Sequence, residues 1–311
     1  MSVPCAEGTR SCLALVCGSK SFSAWSIDEP EGRLLGRITA ATGHEFRDTF
    51  HYDSADAPPP VIITTSKNSV TNTQLVQAWS TSNFSAAPAA LEPADGNPHS
   101  PVESGCLVGN STGKALCGCR DGSLMLWDYG VQAPPDSFPE FRRGYALWEV
   151  KASASANMCL SCSTEGFLQL WDLRNHRFVR KMAAGEGIPI SADMDEAGQV
   201  AVSGYCFDGS LELWDLGSGR RMGGWQDPAN SSDLRDGIVD IHMHGPSGRV
   251  FLVESEEGYI STWTTDTLLR HPKQVGAEPV SRSDRHGHLS TNRDLSVVSI
   301  FDGHMVHVWK G

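Results

Sequence analysis

One tryptophan pattern constrains this chain more than anything else in it: a short alternating run that ends on Trp, repeated seven times. Ser123-Leu124-Met125-Leu126-Trp127-Asp128, Phe167-Leu168-Gln169-Leu170-Trp171-Asp172 and Ser210-Leu211-Glu212-Leu213-Trp214-Asp215 are close to interchangeable. Each follows an acid and a glycine, at Asp121-Gly122, Glu165-Gly166 and Asp208-Gly209. Fainter copies end on Trp25, Trp79, Trp263 and Trp309, and successive tryptophans are 54, 48, 44, 43, 49 and 46 residues apart. Alternation with period two is the signature of a half-buried strand. Further strand-like runs flank the tryptophan runs, among them 199–203 and 249–253 before the turn and 177–181 after it. The 31 Gly and 17 Pro supply the turns such a chain needs. No helical period competes, so the fold class is all-β. The repeat runs from end to end, and residues 1–311 read as one repeat domain.

These residues resemble the WD-repeat family of β-propellers, whose four-stranded blades recur about every 40–45 residues. The resemblance covers essentially the whole chain and implies seven blades, centred on Trp25, Trp79, Trp127, Trp171, Trp214, Trp263 and Trp309. In the family an acid in the turn before the tryptophan strand bonds a histidine near the start of the repeat and a strand Ser or Thr. Asp121 and Asp208 stand six residues before Trp127 and Trp214, and Glu165 and Glu257 have the same offset from Trp171 and Trp263. The expected Gly-His pair survives only at Gly43-His44 and Gly287-His288. The polar bracing is therefore expected to be degraded, with tryptophan packing carrying more of each blade. Truncating such a buried Trp to Ala costs about 3–5 kcal/mol.

The ends raise the question of how a ring of blades closes. The runs 12–16 and 21–27 belong to the first blade, and Ser2 to Ala6 is the one further strand available, for either the first blade or the last. The turn 7–10 suits a hairpin that makes 2–6 the inner strand of blade one. Met305 to Trp309 is then left with an open edge, a template for a strand donated by a partner through Val306 and His307. The alternative is a three-stranded last blade whose His304, His307 and Lys310 discourage pairing.

A net charge of −12 and the lack of a Lys/Arg stripe along the chain argue against direct nucleic-acid binding. No run approaches the roughly 18 apolar residues of a membrane span, and residues 1–10 carry no signal-peptide core, so no membrane insertion is expected. Nine cysteines, several inside apolar runs such as 116–119 and 158–162, read as small buried hydrophobes in a reducing compartment, cytoplasmic or nuclear. Cys159 and Cys162 have zinc-like spacing without a second pair, and the 284–288 run Asp-Arg-His-Gly-His lacks further ligands, so no metal or other cofactor is expected. No catalytic constellation can be assembled. The expected function is a non-catalytic scaffold that binds other proteins as a subunit of a larger assembly. The alternatives are a hydrolase, on fold analogy alone, and a peptide or modified-residue reader at the channel mouth. The candidate binding residues lie on one face and at the seam: Arg120, Asp121, Glu165, Asp208, Glu256 and Glu257, with Glu254 in the same acidic patch, then Trp225 as an exposed anchor, then Val306 and His307. Trp148 is expected in an inner-strand core, and the Ala/Pro/Ser-rich stretches at 58–60 and 85–101 as loops outside the blades.

Overall fold

The computed structural model describes residues 13–17, 19–26, 33–51, 61–71, 73–80, 86–91, 100–108, 113–131, 134–138, 145–153, 157–183, 187–205, 209–225, 237–244, 248–255, 260–265, 289–291, 297–301 and 306–310. These residues form a succession of antiparallel sheets in which each strand pairs with its neighbours in the chain. The first sheet holds β1 (Leu13–Cys17), β2 (Ser21–Ser26) and β3 (Arg33–Thr39). The second holds β4 (His44–His51), β5 (Val61–Asn68), β6 (Gln74–Ser80) and β7 (Ala89–Ala90), and the third β8 (Val102–Leu107), β9 (Lys114–Cys119), β10 (Leu124–Asp128) and β11 (Asp136–Ser137). The fourth is β12 (Leu147–Ala152), β13 (Met158–Ser163), β14 (Phe167–Asp172) and β15 (Arg177–Ala183). The fifth is β16 (Pro189–Met194), β17 (Val200–Tyr205), β18 (Leu211–Asp215) and β19 (Arg220–Trp225). Then come β20 (Ile238–His244), β21 (Val250–Ser255) and β22 (Ile260–Thr264), and last β23 (Leu289–Thr291), β24 (Val297–Phe301) and β25 (Val306–Lys310). Repeated four-stranded antiparallel sheets are consistent with a β-propeller. Among the described residues no helix is long and apolar enough to cross a membrane.

The core lies between successive sheets, and the tryptophans explain why. Trp127 packs with Ile63 and Val76 of the second sheet, Trp171 with Leu116 and Leu126 of the third, Trp214 with Leu160 and Leu168 of the fourth, and Trp263 with Val202 and Leu211 of the fifth. Each therefore bridges its own sheet to the one before it. A strand shows one face to each neighbouring sheet, so both faces are buried and β9, β13 and β17 read as nearly continuous apolar runs. Gly118 and Gly204 mark close approaches of neighbouring sheets: a Cβ on Gly118 would lie 2.6 Å from Val150 Cγ2, and one on Gly204 2.7 Å from Ile238 Cγ2.

A buried indole N–H needs an acceptor. Trp79, Trp171 and Trp214 donate to a hydroxyl on the preceding strand, at Thr64 (3.0 Å), Ser161 (3.0 Å) and Ser203 (2.9 Å). Trp25 and Trp263 donate instead to Ser23 (2.9 Å) and Ser261 (2.7 Å), two residues back on their own strand. The aspartate after the tryptophan has a separate, local task. Asp128, Asp172 and Asp215 each accept backbone N–H groups of the next turn, from Gly130 (3.1 Å), Arg174 (2.9 Å) and Ser218 (2.8 Å). This is Asx-turn chemistry, and it reverses the chain into the fourth strand.

Two expectations are corrected. The 85–101 stretch is not wholly a loop outside the sheets, since Ala89 and Ala90 form β7 and pair with Ala78 and Gln77. A two-residue strand of alanines carries neither alternation nor β-propensity to announce it. Trp148 lies on the first strand of its sheet but is 49% exposed, because a β-bulge between Leu147 and Glu149 takes it out of the alternation. Residues 2–6, 58–60, 284–288, His304 and Met305 lie outside the described residues.

Candidate functional site

The strands that open the second to sixth sheets, β4, β8, β12, β16 and β20, lie side by side. All five carry a bulge at the same place, between Phe46 and Asp48, Val102 and Ser104, Leu147 and Glu149, Pro189 and Ser191, and Ile238 and Asp240. The register beyond the bulge then groups their residues into two layers. Asp48, Ser104, Glu149, Ser191 and Asp240 form one, and Phe50, Cys106, Lys151, Asp193 and His242 the next.

Five of these side chains form one charged cluster. Lys151 Nζ lies 2.9 Å from Glu149 Oε1 and 3.8 Å from Asp240 Oδ1, and His242 Nε2 lies 3.2 Å from Asp240 Oδ2. The carboxylates also hold the neighbouring strand: Glu149 Oε2 accepts the backbone N–H of Ala192 (3.2 Å) and Asp193 Oδ2 that of Met243 (2.8 Å). Ser191 Oγ likewise accepts the N–H of Ile241 at 2.9 Å, and Ser104 Oγ donates to the carbonyl of Leu147 at 3.0 Å. First strands of different sheets do not pair with one another, so their edges need such side-chain partners. Lys151 retains only 20% of its side-chain exposure. Burial raises the pKa of Glu149 and Asp193 despite the nearby Lys151. Burial alone would lower Lys151 and His242, but Glu149, Asp240 and Asp193 outweigh it for the lysine and Asp240 outweighs it for the histidine, so both are raised. Burial also pushes the Cys106 thiol in the same layer up to about 12.

At the end where the first strands begin, Tyr145 and Trp148 are both exposed. The turns between second and third strands reach the same end: Arg120 N donates to Pro101 O (2.8 Å), Asp121 N to Ser100 Oγ (2.9 Å) and Thr164 N to Ala146 O (3.0 Å). Arg120, Asp121 and Glu165 therefore stand at this end, and all three are engaged within the chain. Arg120 Nε meets Glu103 Oε1 at 2.5 Å, Asp121 Oδ1 accepts the N–H and Oγ of Ser123 (3.0 and 2.7 Å), and Glu165 Oε2 accepts Lys181 Nζ at 2.8 Å. Glu254 lies near this end on β21, opposite Asp240, but is only 2% exposed and so buried in the sheet. Trp225 is half-buried, its ring edge-on to Trp263 with centroids 5.0 Å apart. Val306 and His307 lie on β25, paired with Phe301 and Ile300, and Asp208, Glu256 and Glu257 lie outside the described residues. Among the described residues no group of three or more His, Cys, Asp or Glu side chains is placed to hold a metal ion.

The charged cluster escaped the sequence reading. Its one local signal is the alternation in Glu149-Val150-Lys151, Ser191-Ala192-Asp193 and Asp240-Ile241-His242, where the polar positions fall opposite an apolar one in strands that otherwise look like core.

No protein-family model matches the chain. Over 107 residues it is 25% identical to Transducin-like enhancer protein 2 of Mus musculus, which covers 34% of this chain and 14% of that protein. Over 183 residues it is 22% identical to WD repeat-containing protein 91 homolog of Dictyostelium discoideum, covering 56% of this chain and 21% of that protein. The chain is similar to WD-repeat proteins. The WD-repeat likeness and the repeated sheets agree, and the chain spans only those minor shares of its relatives' length.

Proposed function

We propose that this chain is a seven-bladed WD-repeat β-propeller that acts as a protein-interaction scaffold within a larger assembly. Seven consecutive antiparallel sheets among the described residues support the blade number. The observation that carries the binding role is the pair of exposed aromatics, Tyr145 and Trp148, at the end where five bulged first strands begin. Tyr and Trp left exposed beside satisfied polar groups are the residue types that anchor protein interfaces. Beneath them the charged layers hold three carboxylates against one lysine and one histidine, which favours a partner segment bearing a cation. A cytoplasmic or nuclear setting suits Cys106, Cys117, Cys119, Cys159 and Cys162, which are free thiols.

The test is recovery of a stoichiometric partner on the tagged chain from native extract, repeated with Tyr145→Ala and Trp148→Ala. Both substitutions fall on exposed side chains and leave the melting transition in place. Loss of the partner from the variants supports this reading; equal recovery on wild type and variants, or a monomer with no partner, removes it.

A further inference from the structure

The outer strands of the fourth and fifth sheets bring together a set of arginines that neither strand carries alone. On β15, Phe178 lies opposite Trp171 in register and packs on it toward the third sheet, with ring centroids 5.4 Å apart. Alternation puts Arg177 on the other side of the strand. A bulge follows, after which Arg180 pairs with Leu170, a member of the core between the fourth and fifth sheets. Arg180 crosses that gap to the turn between β18 and β19. There it lies over Gly219, where a Cβ would come within 2.7 Å of its Nη1 and 2.8 Å of its Cδ. Gly219 has φ +71°, so the crossing point is also one where glycine is favoured. From the opposite wall, Arg221 pairs in register with Trp214, which faces the fourth sheet. Its Nε is held by Glu212 Oε1 at 3.0 Å while its side chain stays 55% exposed.

Arg180 and Arg221, with Arg177 set on the same side by its register, thus flank the gap between the fourth and fifth sheets, beside the carboxylates of Asp215 and Glu212. The Nε of Arg180 is buried and has no hydrogen-bond acceptor among the described residues. An arginine donor without an acceptor is costly to leave unmade. Among the described residues β15 is the last strand of its sheet, with no strand paired to its outer edge. We propose that the cleft between β15 and β19 docks an extended, acidic segment of a partner protein, with its carboxylates on Arg177, Arg180 and Arg221.

Charge and geometry select that occupant. The chain as a whole carries −12, so a long polyanion such as a nucleic acid would cross unfavourable surface on either side of the cleft, whereas a short segment need not. Arginine forks match carboxylates in paired hydrogen bonds. An extended segment with acids at every second residue repeats them about every 7 Å, the spacing of same-side residues on β15 itself. The surface is distinct from the aromatic end around Trp148, so the two readings fail separately.

The experiment uses the full chain and a fluorescein-labelled peptide of alternating Glu and Thr, with a Gln/Thr peptide as the neutral comparison, read by fluorescence anisotropy. The Glu/Thr peptide is expected to bind, to weaken as salt is raised, and to bind about tenfold or more weakly to Arg177→Ala and to Arg180→Ala. Trp148→Ala should bind it as wild type does. Arg177→Glu, on an exposed side chain, carries the test if Arg180→Ala fails to fold. Equal binding of the two peptides, wild-type binding by the arginine variants, or tighter binding of a single-stranded oligothymidylate than of the Glu/Thr peptide would each overturn the proposal.

Discussion

The first strands and the outer strands of the middle sheets both carry charge, and they use it in opposite ways. On β12, β16 and β20 the acids, Lys151 and His242 face one another across neighbouring strands, and the carboxylates also take up backbone N–H groups. The charge there is spent on holding sheets together. On β15 and β19 the guanidinium groups stand partly in solvent, and one donor has no acceptor among the described residues. Packing explains the difference. The first strands are enclosed on several sides, so an unmatched charge there is expensive, while Arg177 and Arg221 on the outer strands keep solvent around their charge.

The sharpest test removes Lys151. Lys151→Met leaves Glu149, Asp193 and Asp240 without their shared cation and should cost about 3–5 kcal/mol in urea unfolding. Because the folded chain already raises the pKa of Glu149 and Asp193, protonation favours the folded state, and the variant should regain stability below about pH 5. An unchanged midpoint in Lys151→Met would mean that the first strands do not depend on their internal charge balance. Next in size is Ser203→Ala, which takes the acceptor from the buried Trp214 indole and should cost about 1–3 kcal/mol by the same measurement.

A smaller effect is expected from His242. The folded chain holds its proton more tightly than the unfolded chain does. The imidazolium therefore contributes in full below about pH 6.5, and its contribution is lost as pH rises through the raised value. Wild-type stability should fall as pH rises above about 6.5, and the slope should flatten in His242→Gln. A slope identical in the two proteins would place the titration elsewhere. At the outer strands, Arg177→Ala should shift stability by less than about 0.5 kcal/mol, since the side chain is exposed. A large loss there would erase the contrast between inner and outer strands.

Much of the fold was legible because its signals are local. Trp127-Asp128, Trp171-Asp172 and Trp214-Asp215 each announce a strand end and the turn that follows, and the aspartate makes that turn with donors two or three residues away. The cysteines of 116–119 and 158–162 read as buried for the same reason, since each lies in a short apolar run. Trp148 was misread because a bulge, invisible to alternation, shifts the register by one residue. Glu254 looked like part of an exposed acidic turn, yet it ends up buried inside β21.

By itself the sequence determined the period, the strand type and the turn chemistry, all of which act over a few residues. Only the tertiary structure decided which charges meet. The backbone bond to Glu149 spans 43 residues and that to Asp193 spans 50, so each partner stands one whole repeat away. Nothing local links Arg180 to Gly219 either. Sheet-on-sheet packing and bulge placement bring such residues within reach, and those depend on all the repeats at once.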